Sequence, residues 1–116
     1  MKQRRRHRDE MVVIYWRDIP AQVAAESGGQ REKILLTARF QHAIDRAASV
    51  AGLTETTAYV REWHRQVEPL QGDIRSRLKA LAASLEDRYD NETLEELVRN
   101  GGQALMEKSE INGLQR

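Results

Sequence analysis

The chain has no cysteine. That excludes a disulfide framework, a thiol nucleophile and a cysteine-ligated zinc site, and it fits a reducing compartment. Proline occurs twice, at Pro20 and Pro69, and each reads as a turn or break in the chain. Aromatic residues are scarce, at 5%. No apolar run approaches the ~20 residues that span a bilayer. No apolar stretch ending in a small-residue cleavage site follows the basic N-terminus, so a signal peptide is not expected. Without an internal repeat the chain is not a solenoid. These absences leave a cytoplasmic protein with no membrane segment as the expectation.

What is present suits one domain. A length of 116 residues allows a core of ordinary size. With 40% hydrophobic and 32% charged residues, a small helical domain with wide solvated faces fits better than disorder. The charge is uneven. Residues 1–10 hold five basic residues against Asp9 and Glu10, while the remainder holds 14 basic and 16 acidic residues. The body is therefore slightly acidic. Residues 1–10 read as a disordered basic leader, with the folded domain over 11–102 and Met11 as an alternative start to Met1. Residues 103–116, with Leu105 and Met106, read as a short helical turn and a frayed tail.

The most distinctive stretch is MVVIYWRDIPAQV, residues 11–23. Val12 to Trp16 has high β propensity. Arg17 to Pro20 looks like a turn, and Gln22 to Ala25 a returning strand, so an antiparallel hairpin over 11–26 is predicted. Ser27, Gly28 and Gly29 read as a flexible connector. A first helix is predicted from about Arg31 to Ala51, because Leu36, Phe40, Ile44, Ala47 and Ala51 recur at helical spacing. Gly52 suits its C-terminal stop. Thr54 is the expected cap of a second helix, with Tyr59, Trp63 and Val67 on one face. A third helix fits Asp73 to Tyr89, with an apolar stripe of Ile74, Leu78, Leu81, Leu85 and Tyr89. Asn91 is the expected cap of a short fourth helix carrying Leu94, Leu97 and Val98, which Gly101 and Gly102 end. The predicted class is α+β: an N-terminal antiparallel hairpin packed on three to four helices.

Candidate chemistry is sparse. Histidine occurs at His7, His42 and His64, and the spacing supplies no metal-ligand set. Glu86, Asp87, Asp90, Glu92, Glu95 and Glu96 fall around the junction of the last two helices. There, solvation and helix capping explain them better than acid–base work does. Ser27-Gly28-Gly29 lacks the glycine spacing of a phosphate-cradling loop. No catalytic residue, metal ligand or cofactor is therefore expected.

The opening run, with residues 40–48 (FQHAIDRAA), Ala51-Gly52-Leu53 and the stretch from Tyr59 to Trp63, resembles a small bacterial domain family known as "virulence factor". The likeness spans roughly residues 11–102. The family has no established mechanism to carry over. Its members look like stand-alone proteins, sometimes with genes beside corrinoid and folate one-carbon enzymes, and a related domain occurs in larger scaffold-like proteins. The resemblance therefore implies a helper subunit linked to one-carbon or corrinoid metabolism.

Two functions follow. The first is a non-enzymatic interaction protein, self-associating or serving as an accessory subunit. In a strand Tyr15 and Trp16 face opposite sides, so one of them is left for a contact surface beside Arg17. Trp, Tyr and Arg are the residues enriched at such surfaces. The predicted partner-binding residues are Tyr15, Trp16 and Arg17, helped by an open hairpin edge. The alternative is nucleic-acid binding through Arg4, Arg5, Arg6 and Arg8, whose charge could hold phosphates.

Overall fold

The computed structural model describes residues 9–104. The fold is α+β, and the hairpin is its seed. Strands β1 (Glu10–Trp16) and β2 (Ile19–Ser27) pair antiparallel. Two further strands complete the sheet. β3 (Gln30–Leu35) pairs with β2, and β4 (Trp63–Pro69) pairs with β1, giving the order β3-β2-β1-β4, antiparallel throughout. Helices α1 (Ala38–Ala51), α2 (Thr56–Arg61), α3 (Ile74–Arg88) and α4 (Asn91–Arg99) follow and interleave. No helix among the described residues is long and apolar enough to cross a membrane.

Two expectations are corrected by β3 and β4. Residues 30–35 extend as a strand, so the first helix begins at Ala38 rather than Arg31. Gly28 and Gly29 are a two-residue hairpin turn, both at positive φ (54° and 85°), between paired Ser27 and Gln30. Glycine adopts that geometry without steric cost. The second helix stops at Arg61, and the stretch read as its continuation is β4. Trp63, Arg65 and Val67 alternate with His64, Gln66 and Glu68, the period of a strand. Both strands of the hairpin are therefore interior, and the open edges belong to β3 and β4. An open hairpin edge does not exist.

β1 begins at Glu10, opposite Glu26 and Pro69, one residue before the expected boundary. Residues 1–8 of the predicted leader, with Arg4, Arg5, Arg6 and Arg8, lie outside the described residues, as does the predicted tail beyond Ala104. In β2 the register shifts beside Ile14 and Tyr15, which face Gln22 and Pro20, so Ala21 is the extra residue of a bulge. A bulge is where a strand can carry proline.

Sheet parity sorts the core. Met11, Val13, Val23 and Ala25 are buried on one face. α3 lies across β2 and β3 on that face, and α1 packs on β2 and α4. Phe40, Ala43, Ile44, Ala47 and Ala48 supply α1's share of the core. α3 supplies Leu78, Ala82 and Leu85, and α4 supplies Leu94, Leu97 and Val98. Leu81 and Tyr89 of the predicted stripe are only partly buried. The helix starts also differ in detail. Asp90, not Asn91, caps α4 by accepting from the Thr93 N–H at 2.9 Å. Glu55, not Thr54, precedes α2, without a side-chain cap. Thr37 precedes α1 and is held from across the fold: its N–H and Oγ1 donate to Glu86 of α3 at 2.7 and 3.0 Å.

The opposite sheet face carries Val12, Ile14 and Ala24 half-buried, with Leu35 and Val67 exposed. At its far end Trp16 is wholly buried, stacked on Tyr59 of α2, to whose carbonyl its Nε1–H donates at 2.9 Å.

Candidate functional site

α1 sits over β2 and α3 over β2 and β3, and neither packs substantially on β4. That offset leaves a groove on the helical face, between the β1–β4 side of the sheet and the start of α4. Its volume is about 540 Å³. Tyr15, His64 and Gln66 form its sheet wall, Tyr89, Thr93 and Glu96 its helical wall, and Asp18, Asn100 and Ala104 close one end.

The geometry starts at the β1–β2 turn. Arg17 sits at φ 54°, a conformation that costs an L-residue about 1–2 kcal/mol. Such strain persists only where the surroundings over-determine it. Here they do. The Arg17 N–H donates to the Glu62 carbonyl at 3.1 Å, and the Asp18 N–H to the Gly102 carbonyl at 2.8 Å. The Arg17 guanidinium donates to Glu62 Oε1 at 3.0 Å and to the Gly101 carbonyl at 3.2 Å. It also lies over the Trp16 ring at 5.6 Å. Gly101 and Gly102, after α4, thus clamp the turn, and they place the Asp18 carboxylate beside Ala104, whose N–H it accepts at 2.7 Å.

His64 is oriented by the same turn. Its Nε2 lies 2.6 Å from the Arg17 carbonyl. A carbonyl only accepts, so Nε2 carries the proton and Nδ1 is the ring's remaining polar atom. The imidazole stacks on Tyr15, with centroids 5.5 Å apart and planes 10° from parallel. Burial first, then the neighbouring Tyr89, pushes the Tyr15 phenol above its ordinary value, with Arg88 opposing. Burial also raises Tyr89, with Arg88 again opposing. Raised phenols stay protonated near neutral pH. They serve there as hydrogen-bonding and stacking groups rather than bases.

The structure separates the three predicted contact residues. Tyr15 is the outward member of the aromatic pair and lines the groove. Trp16 is 0% exposed, so the folded surface cannot present it, and its placement among contact residues is corrected. The side chain of Arg17 is 19% exposed and paired with Glu62, so it holds the turn. His64, Gln66, Tyr89 and Glu96 were missed as a set. The strand-like alternation of residues 63–68 is the sequence signal that places His64 and Gln66 on Tyr15's face, and Tyr89 and Glu96 share no such signal with them. Of the remaining acidic residues, Glu86 caps α1, Asp90 caps α4 and Glu95 pairs with Arg46. Among the described residues no group of three or more His, Asp or Glu could hold a metal ion.

A family model described as "Virulence factor" matches residues 14–98, most of the chain. The chain belongs to the virulence factor family. The matched span of this family member runs from within β1 into α4, and so includes Tyr15, Asp18, His64, Gln66, Tyr89, Thr93 and Glu96. No curated protein and no solved structure matches the chain.

Proposed function

We propose that this virulence factor family domain is a non-enzymatic interaction protein, a small accessory subunit or adaptor of a larger bacterial complex. The observation that carries the reading is Tyr15, a partly buried aromatic at the floor of an open groove beside an unpaired strand edge. Aromatic anchors in such pockets dominate interface energetics. β4 supplies the edge. Its residues from His64 to Pro69 are exposed, and among the described residues its outer side has no neighbour in the sheet. An extended segment of a partner could add there by main-chain hydrogen bonds and place a side chain in the groove. β3 is the poorer edge, since Arg31, Glu32 and Lys33 crowd it with charge, which discourages strand addition. A slightly acidic body and two carboxylates at the groove disfavour phosphate backbones as its ligand. The link to one-carbon or corrinoid enzymes rests on the family likeness alone.

The test begins with affinity purification from the bacterium that carries the gene, followed by mass spectrometry and titration of the purified partner. Tyr15→Ala, checked for fold by circular dichroism, should weaken association about 30-fold or more, the effect of losing an anchor worth ≥ ~2 kcal/mol. Sedimentation velocity of the pure chain shows whether the partner is a second copy. A folded Tyr15→Ala variant that associates like the parent refutes the reading.

A further inference from the structure

We infer that the groove receives a guanidinium group, supplied by an arginine on the partner polypeptide. The inference rests on the adaptor reading and names the chemistry that the partner must present. The groove is rich in acceptors and in π surface. Asp18 gives one carboxylate oxygen to the Ala104 N–H and keeps the other. Glu96 carries no ion pair among the described residues, unlike its neighbour Glu95, which Arg46 holds. Gln66 and Asn100 add amide oxygens, and His64, held by its Nε2–H to the Arg17 carbonyl, adds a flat ring stacked on Tyr15. The walls are the rings of Tyr15, His64 and Tyr89.

Anions are disfavoured by this set, because no described lining residue is an arginine or lysine. Neutral apolar groups would leave the carboxyl groups desolvated without partners. A compact ammonium would satisfy the carboxylates but not the planar stacking surface. A guanidinium satisfies both, since it is planar, carries five donors and stacks on aromatic faces. The chain uses the same contact internally. Arg39 lies over Phe40 at 4.6 Å and Arg88 over Tyr89 at 5.9 Å. Arg88 covers part of Tyr89, so the incoming group meets mainly Tyr15, His64 and the carboxylates.

The test titrates the full chain with N-acetyl-arginine amide, N-acetyl-lysine amide and N-acetyl-citrulline amide, followed by two-dimensional NMR. Citrulline is the uncharged near-isostere of arginine. Saturable shifts should appear with arginine at Tyr15, His64, Gln66 and Glu96, weaken with lysine and vanish with citrulline. Glu96→Gln and Asp18→Asn should each weaken arginine binding about two- to fivefold, while Glu92→Gln, outside the groove, should not. Equal binding of citrulline, shifts scattered over surface acids, or an unchanged Glu96→Gln midpoint would overturn the inference. A fourth arm replaces Arg4, Arg5, Arg6 and Arg8 by serine in the full chain. Binding that appears only then shows the chain's own arm filling the groove and overturns the assignment to a partner. The two proposals fail separately. Loss of the probe with Tyr15-dependent association intact sinks the guanidinium site alone. Probe binding with association indifferent to Tyr15 sinks the adaptor reading, and with it the partner as the source of the arginine, while the guanidinium site stands.

Discussion

Gly102→Ala tests the clamp that builds one end of the groove. Gly102 sits at φ +93°, and a Cβ there would come within 2.9 Å of Trp16 Cζ3 and 3.3 Å of its Cε3. The ring cannot retreat, because Trp16 is wholly buried and its Nε1–H is held by the Tyr59 carbonyl. The glycine cannot retreat easily either. Its N–H donates to the Leu97 carbonyl at 2.7 Å, and its carbonyl accepts the Asp18 N–H at 2.8 Å. Backbone strain contributes about 1–2 kcal/mol, and overpacking against a rigid ring about 1–3 kcal/mol more. The total is roughly 2–5 kcal/mol. Gly29→Ala is the matched control, with φ +85° and nothing within 4 Å of the added Cβ. It should show the strain without the clash. At about 4–8 °C per kcal/mol for a domain of this size, Gly102→Ala should melt at least about 5 °C below Gly29→Ala in thermal denaturation followed by circular dichroism. It should also perturb the near-ultraviolet signal of Trp16. Equal melting temperatures would show that the turn–loop clamp is soft, and that Asp18 is not held at the groove by it.

Leu78→Ala should cost about 2–5 kcal/mol in a denaturant titration, because Leu78 is 1% exposed. Leu81→Ala should cost clearly less, its side chain being only partly buried, and the reverse order would mean that α3 is rotated. Glu86 has its carboxyl held below the usual range: burial pushes it up, and the Thr37 N–H, the Thr37 hydroxyl and Arg39 outweigh that. A lowered folded-state value contributes stability above the unfolded value of 4.5 that is lost as pH falls through the folded one. Glu86→Gln should therefore flatten the acid limb of the stability curve, with a loss near neutral pH of about 0.5–2 kcal/mol. Tyr15 and Tyr89 are raised, so their contribution is complete below pH 10.0 and lost as pH rises through their folded values. Tyr15→Phe should lessen the fall in stability above that pH, and urea titrations at pH 8 and pH 10.5 would show it.

The helical half of the fold was legible because its signal is local. Phe40, Ile44 and Ala47 repeat at helical spacing, as do Leu94, Leu97 and Val98, and those faces are buried as the period requires. Half of the sheet was not legible, for two different reasons. β3 was announced by a turn signal: two glycines separate paired Ser27 from Gln30. Two-residue Gly-Gly loops join strands, and a flexible connector was the wrong reading of them. β4 gave an ambiguous signal. Tyr59, Trp63 and Val67 fall at four-residue steps, which mimics a helix, while residues 63–68 also alternate. The choice is made by β1, whose second edge takes β4 as its partner across some fifty residues of chain. No local window contains that decision.

The site was half legible for the same reason. Opposite orientation of Tyr15 and Trp16 follows from strand parity alone, and one of the two does open on a groove. Which one depends on α2 and the Gly101-Gly102 loop covering Trp16 from distant parts of the chain. The groove's remaining residues come from β4, the end of α3 and α4. What unites them is the offset of α1 and α3 over β2 and β3, which gives the fourth strand a hydrogen-bonded neighbour but no helix to cover it. A sheet built to serve only the core would place apolar side chains on β4 and a helix above them. Here His64, Gln66 and Glu68 occupy those positions, polar and exposed, beside an aromatic that the core does not enclose. Filling the groove from within separates the two uses. Gln66→Leu should leave unfolding unchanged or slightly raise stability, since it adds an apolar group beside Tyr15. It should also abolish binding of the arginine probe and of the partner. A variant that loses stability instead would place Gln66 in the scaffold and take the groove's sheet wall out of the contact surface.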